Sequence, residues 1–411
     1  MNDNSKLAVL KLDLQNYRNF KHYTIEAGCD PVVIIGANGV GKTNILEAIS
    51  LFAFGRGLKG AKFDQLVNTN DSITPAKHAH DEQMQEAYEI QNAHDTKIRE
   101  GFESVATHTS PSGVECGKES SNSYCSVVST QRTKIGDARI DLEFSRNTNF
   151  SRSVLFNNQR VPTQDLHKFT DVFWFTHNMH QVIAGSKQER RSFFDKLTYS
   201  LFPTHAKVTS QYNQLIKRRI EMLVNNDLSS SALDHLESQI TRCAKTISDN
   251  RTQYLEKLNL QSSYAPPSFL SAKVCIDQIC DSEESYMQLL QKNRKRDSVI
   301  KRTSSGVHLA NFDLFFFKNA DWRKAEIASN GEQKAAIITL FFSHVHLYIE
   351  SFGYTPIILL DEFFAHLDQN MADAILHFLH QQRAQFWITG IDMRGIELLE
   401  QYANVIDLCL E

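Results

Sequence analysis

The chain has 411 residues, more than one hydrophobic core normally fills, so two or three structural units are expected. Hydrophobic residues make up 41% and charged residues 22%, the balance of an ordinary globular protein. A net charge of −4 excludes a global basic field, so any contact with nucleic acid must come from local patches.

The seven cysteines form no CxxC pair, so spacing supports neither a disulfide framework nor a zinc site. Reduced thiols in a cytoplasmic protein are expected. Met1–Lys6 is polar and lacks an apolar signal core. The apolar runs Leu314–Phe317 and Pro356–Leu360 are too short to cross a bilayer, so no membrane partner is expected.

In chain order, Leu7–Leu14 reads as a first strand. Pro31–Ile35 is a short β-branched run ending at Gly36 and reads as a buried strand. Thr43–Phe52 reads as a helix with Ile45, Leu46, Ala48, Ile49 and Phe52 on one side. Residues 69–131 are rich in polar and charged types without a strong period, and read as a solvated insertion. Ala138, Ile140, Leu142 and Phe144 alternate with charged residues as in a half-buried strand. Arg152–Phe156 follows, with a turn at Asn157–Asn158, and Asp171–Thr176 is a further apolar strand.

From Ser192 the apolar period becomes helical. Val208, Tyr212, Leu215, Ile216, Ile220 and Leu223 share one face, and Leu233, Leu236, Ile240, Cys243 and Ile247 share another. A loop at Asn225–Ser231 separates them, which predicts an antiparallel helical hairpin ended by Pro266–Pro267. Strand and helix signals return after Gly306. The expected plan is an α/β domain whose halves, 1–190 and 304–411, are separated by a helical arm at 191–303.

Gly36-Ala37-Asn38-Gly39-Val40-Gly41-Lys42-Thr43 fits G-x-x-x-x-G-K-[ST]. Its glycines let backbone N–H groups approach phosphates, and the following helix offers its N-terminal donors. Lys42 supplies a point charge to the outer phosphates of ATP, and the Thr43 hydroxyl a ligand for Mg²⁺. A chance glycine turn would lack the buried strand before it and the amphipathic helix after it. Ile357–Glu362 is an apolar strand ending in two acids, where parallel sheets place ligands. Asp361 is expected to hold Mg²⁺ and Glu362 to polarise the attacking water. Alone, this motif favours a buried strand with a solvated acidic end, and only beside the first motif does the catalytic reading lead. Ser329-Asn330-Gly331-Glu332-Gln333 opens a helix running to Tyr348, and alone suits a simple N-cap.

In order and spacing the three motifs resemble the ABC ATPase superfamily: a P-loop head with Walker A, signature, Walker B and, at Ala365–Asp368, a D-loop. Ala328 and Asn330 depart from its signature. Thr389 stands where transporters carry a switch histidine, which points to the SMC-like branch. Within that branch the chain resembles the RecF family. The resemblance is carried by Leu14–Phe20, Gly36–Ile49, Gly55–Gly60, the double arginine of Arg190-Arg191-Ser192-Phe193-Phe194-Asp195, Ser329–Lys334 and Leu360–Asp368. It spans residues 7–68 and 135–411.

That resemblance implies an ABC-type ATPase head with an inserted α-helical arm. It implies Arg18, Asn19 and Asn44 beside the nucleotide. It places Ser329 and Gly331, with Asn330, Glu332, Gln333 and the D-loop Asp368, across an ATP-dependent homodimer. It implies ATP-driven binding to double-stranded and gapped DNA, slow hydrolysis, recombinase loading, and RecR and RecO as partners. Candidate DNA contacts are Arg56, Lys59, Lys187, Arg190, Arg191, Lys217, Arg218, Arg219, Arg294–Arg296 and Lys301–Arg302, although a solvated helix face explains any one cluster. No aromatic interleaving marks base readout. The family's Gly-Pro-His-Arg-x-Asp stretch is replaced here by Gly306-Val307-His308-Leu309-Ala310-Asn311. The alternatives are another SMC-like ATPase acting on DNA, a transporter's nucleotide-binding subunit, or a scaffold with a vestigial site.

Overall fold

The structure is a computed structural model describing residues 5–53, 55–68, 124–146, 150–225, 230–262, 269–277, 280–364, 367, 369–391 and 397–408. The chain opens with β1 (Ala8–Tyr17), β2 (Phe20–Glu26), β3 (Val32–Ile35) and helix α1 (Lys42–Ser50). Next come β4 (Tyr124–Thr133), β5 (Gly136–Arg146), β6 (Phe150–Phe156), β7 (Gln159–Arg160) and β8 (Val172–Thr176). Helices α2 (Gln181–Ala184), α3 (Lys187–Leu201), α4 (His205–Asn225) and α5 (Ser230–Ser262) precede β9 (Ala272–Ile276) and α6 (Glu283–Ile300). β10 (Phe312–Lys318), β11 (Asp321–Lys324), α7 (Asn330–Phe352), β12 (Ile357–Asp361), α8 (Gln369–Gln381), β13 (Phe386–Gly390) and β14 (Asn404–Asp407) complete the order.

Five parallel strands, in the order β14-β3-β13-β12-β8, form the central platform. Alternate residues enter opposite cores. Val33, Phe175, Ile358, Leu360 and Ile388 pack on the side of α7, while Val32, Ile34, Trp174, Leu359 and Trp387 pack on the side of α1. Burial on both faces is why these strands read as unbroken apolar runs. Helix α1 lies between this platform and a six-stranded antiparallel sheet, ordered β2-β1-β4-β5-β6-β7. Asn157 and Asn158, both at positive φ (47° and 66°), make the expected tight turn between β6 and β7.

Two sequence boundaries are corrected. The insertion read at 69–131 loses its last residues: Tyr124–Thr133 is a strand inside the antiparallel sheet, paired with β1 and β5. Its inward positions include Ser129, Gln131 and Thr133, all buried, so the alternation was polar and escaped an apolar period. Residues 69–123 lie outside the described residues. The segment expected to be a helical arm also contains β9, which pairs with β10 of the C-terminal half.

The arm helices α4, α5 and α6 share a core of Tyr212, Leu236, Ile240, Ile247, Tyr286 and Leu290. Helix α7, 23 residues long, is apolar enough by length and composition to cross a membrane. Its apolarity has another cause: Ala336, Ile338, Leu340 and Val345 are fully buried in the core.

Candidate nucleotide site

The loop between β3 and α1 bends at Gly39 (φ +87°) and Gly41 (φ +115°), where a side chain would strain the backbone. A Cβ on Gly41 would also lie 2.6 Å from Asn19 Nδ2 and 2.8 Å from Phe20 Cζ. The missing side chain lets the β1–β2 turn close on the loop. Asn19 Nδ2 donates to the Val40 carbonyl (2.9 Å), and Asn19 Oδ1 accepts from Asn44 Nδ2 (2.8 Å). Lys59 Nζ in turn donates to Asn44 Oδ1 (2.7 Å). Lys42 is buried, and its ammonium donates to the carbonyls of Gly36 (2.6 Å) and Ala37 (2.9 Å), which hold the charge at the loop.

Arg18, expected beside the nucleotide, lies next to Asn19 and is engaged within the protein. Its Nε and Nη2 donate to the buried carboxylate of Glu47 (2.8 and 2.6 Å), and Nη1 donates to the Gln65 carbonyl (2.8 Å). Nε and Nη2 fasten the turn to α1, and Nη1 fastens it to the segment at Gln65, so Arg18 braces the turn that closes on the loop. Glu47 was not singled out in the sequence. An acid within the apolar face of α1 was the available signal.

β12 pairs in parallel with β8 and β13, so Asp361 emerges opposite Thr176 at the strand ends. Asp361 is 6% exposed, and its Oδ1 accepts from the Thr43 hydroxyl (3.0 Å) and the Thr389 hydroxyl (2.8 Å). The Thr389 oxygen also accepts from the Glu362 backbone N–H (2.9 Å). One β13 side chain thus ties both acids in place. Glu362 has a left-handed backbone (φ 47°) and an exposed side chain, with Oε2 3.9 Å from His177 Nδ1. His177 follows β8 directly and was missed, because strand pairing was not legible from one sequence.

A hydroxyl and a carboxylate oxygen 3.0 Å apart, beside the phosphate loop, form the hard oxygen set that Mg²⁺ prefers. The residues present therefore fit a magnesium–nucleotide ligand. Of the D-loop, Ala365, His366 and Asp368 lie outside the described residues.

Ser329 caps α7. Its hydroxyl accepts from the Glu332 N–H (3.4 Å) and donates to Glu332 Oε2 (2.8 Å), which also accepts from the Ser329 N–H (3.0 Å). The Lys318 ammonium and then these Ser329 donors hold the Glu332 carboxyl down at about 2. Gln333 is buried and donates to the Ala325 carbonyl (2.9 Å), while Ser329, Asn330 and Gly331 stay exposed.

The structure removes two residues from the DNA candidates. Arg219 is fully buried, ion-paired to Glu237 (2.8 Å) and Asp297 (2.7 Å), so no phosphate can reach it. Arg190 is also buried, donating to the carbonyls of Ile183 (2.9 Å) and Gly185 (2.8 Å) and pairing with Glu326 (2.8 Å). Arg191 donates to the Ala310 carbonyl (2.8 Å) and is part-buried. Arg56, Lys59, Lys217 and Arg218 are exposed.

Residues 32–390 match the family model described as "AAA domain, putative AbiEii toxin, Type IV TA system". The chain is 30% identical over 407 residues to the DNA replication and repair protein RecF of Rickettsia canadensis (strain McKiel), covering 97% of this chain and 98% of that one. The chain belongs to the RecF family. The RecF protein of Rickettsia akari (strain Hartford) is 29% identical over the same shares. A solved structure titled the recombination mediator protein RecF with ATP in the RecFOR pathway superposes with a TM-score of 0.73. It is 20% identical, with 96% of this chain and 94% of that chain covered, and so supports the fold.

The departure from the RecF pattern at Asn311 now has a physical reading. Asn311 Oδ1 accepts from Arg190 Nη2 (2.9 Å), and Glu326 supplies the negative charge that a neutral amide lacks. Leu309, where the family carries arginine, is 41% exposed and takes no part in this network.

Proposed function

We propose that this RecF family member is a cytoplasmic ATPase that binds double-stranded and gapped DNA when ATP closes two heads into a dimer. The observation that carries the reading is the junction of Thr43, Asp361 and Thr389, which joins the phosphate loop to the acidic strand end. Lys42 faces the outer phosphates, and Thr43 and Asp361 hold Mg²⁺. The ion, when bound, neutralises charge on the transferring phosphoryl group. Glu362, held by Thr389 through its own N–H, orients the attacking water, with His177 beside it. Ser329 and Gly331 complete the partner's site. Slow hydrolysis reopens the dimer.

The names of the relatives support a role in DNA replication and repair; within it we assign recombinase loading at gaps, with RecR and RecO as partners. We assign the ATPase head to the two terminal segments and a DNA-facing arm to the helices between them. Sedimentation and DNA binding, each with and without ATP, test the reading. Association and duplex affinity should both rise with ATP. A chain that stays monomeric and binds duplex equally without ATP overturns it.

A further inference from the structure

β9 and β10 turn one face to the core and the other outward, while β11 is exposed along its whole length. Phe312, Leu314 and Phe316 are buried, so Asp313, Phe315 and Phe317 point away from them. Register places Lys273 and Lys324 on either side of Phe315, and Trp322 opposite Phe317. The outer face therefore carries three aromatic rings interleaved with two lysines, against the one acid Asp313, which accepts from Lys324 Nζ (3.2 Å). Lys273 Nζ lies 4.0 Å from the centre of the Trp322 ring, and the Phe317 and Trp322 rings are 5.4 Å apart. Phe317 is 42% and Trp322 38% exposed. No sequence window showed this interleaving, because the lysines and rings come from three strands.

We propose that this face is a stacking platform for single-stranded nucleic acid, the unpaired stretch of a gapped substrate, and the proposal rests on the DNA-binding reading above. Exposed rings offer stacking surfaces to any base, and flanking lysines neutralise successive phosphates. The charge balance selects this occupant over an apolar protein segment, for which two lysines among the rings would be costly to bury. The platform is also joined to the signature: Lys318, at the end of β10, pairs with Glu332 in the first turn of α7.

The chain has three tryptophans, and Trp174 and Trp387 are buried, so quenching of exposed tryptophan emission reports on Trp322. The probes are an oligodeoxythymidine of about 20 nucleotides, longer than one site requires, and a duplex of equal length. The oligonucleotide should quench wild-type emission, and Trp322→Phe should abolish the quenching. Trp322→Ala and Phe317→Ala should each weaken oligonucleotide binding about ten-fold. Duplex affinity, ATP-driven association and melting temperature should stay near wild type, since both side chains are exposed. Lys273→Gln with Lys324→Gln should make the negative slope of log affinity against log salt shallower by about 1.4. Absence of quenching, or unchanged oligonucleotide affinity in Trp322→Ala, overturns the platform. So does loss of ATP-driven association with oligonucleotide affinity intact, which would give this face to a second copy of the chain. Failure of the wild type to bind duplex overturns the DNA-binding function instead, while a ten-fold loss of oligonucleotide binding in Trp322→Ala would still uphold the platform.

Discussion

Thr43 and Asp361, 318 positions apart, are joined by a 3.0 Å hydrogen bond from the threonine hydroxyl to Asp361 Oδ1. The same oxygen receives the Thr389 hydroxyl, whose own oxygen accepts from the Glu362 N–H. Loop, acidic strand and switch-position strand thus meet at one buried carboxylate. Thr389→Val keeps the shape and removes both contacts. It leaves the part-buried Glu362 N–H without its partner and the buried Asp361 Oδ1 short of one, a loss of about 1–3 kcal/mol. Urea unfolding should show that loss, and turnover should fall about ten-fold as Glu362 loses its anchor, the equivalent of about 1.4 kcal/mol in the barrier. Wild-type stability and turnover together would remove Thr389 from the mechanism.

Lys42→Ala and Glu362→Gln separate binding from hydrolysis. Without the Lys42 charge, tight ATP binding and ATP-driven association should both disappear. Glu362→Gln should bind ATP and associate normally, yet turn over about 10²–10⁴-fold more slowly and keep the dimer closed. Calorimetric titration and steady-state turnover measure the two effects. Normal nucleotide affinity in Lys42→Ala would contradict the site assignment.

Much of this site was legible because its chemistry is local. Gly36–Thr43 and Ile357–Glu362 each carry their meaning in a short run of residues. The contacts that were not legible cross between elements. His177 reaches Glu362 through the pairing of β8 with β12, and Arg18 reaches Glu47 on α1 from the β1–β2 turn. β4 was hidden for a different reason. Its buried Ser129, Gln131 and Thr133 break the apolar alternation, although Ser129 recovers a partner in the Lys11 carbonyl (3.0 Å). Arg219 shows the opposite failure: the sequence placed it in a basic run, and packing drew it inward while Lys217 and Arg218 stayed exposed.

Arg219→Met tests that difference. Glu237 and Asp297 would remain buried with a central partner gone, a change that typically costs about 3–5 kcal/mol. The double change Lys217→Gln with Arg218→Gln should alter stability by less than about 0.5 kcal/mol. Urea denaturation compares them directly, and equal stability of all the variants would contradict the buried pairing.

The buried His344 gives the protein a defined response to acid. Its Nδ1 faces the Tyr254 hydroxyl (3.1 Å) and its Nε2 the Ser200 hydroxyl (3.3 Å), linking α7 to α5 and α3. Burial pushes its imidazole down to about 3. The unfolded chain binds this proton below about pH 6.5, while the folded chain does not until about pH 3. Stability should therefore fall by about 1.4 kcal/mol per pH unit across that window on account of this group, and not above it. His344→Gln should flatten the slope by one proton when urea midpoints are compared across the window. An unchanged slope would exclude the mechanism.

Ser329 has two roles to separate, because it caps α7 in its own chain and is proposed to meet ATP on the partner. The cap is visible in its reciprocal bonds with Glu332. Ser329→Ala should lose about 1 kcal/mol of stability through the cap alone. Ser329→Asn substitutes an equally good cap with a larger side chain, so stability should hold. If Ser329 acts only as a cap, the asparagine variant should associate and turn over like wild type. If it acts in trans, that variant and Ser329→Arg should keep the ATP affinity of the monomer while losing ATP-driven association and turnover. Mixing Ser329→Arg with Lys42→Ala sharpens the test. A mixed dimer gathers both lesions at one composite site and leaves the other whole, because each site takes its loop from one chain and its signature from the other. Association should return in the mixture, at a level below wild type, although neither variant associates alone. Sedimentation of the mixture with ATP measures this directly. No recovery in the mixture, or normal turnover in Ser329→Arg alone, would reduce Ser329 to the cap that its own chain already shows.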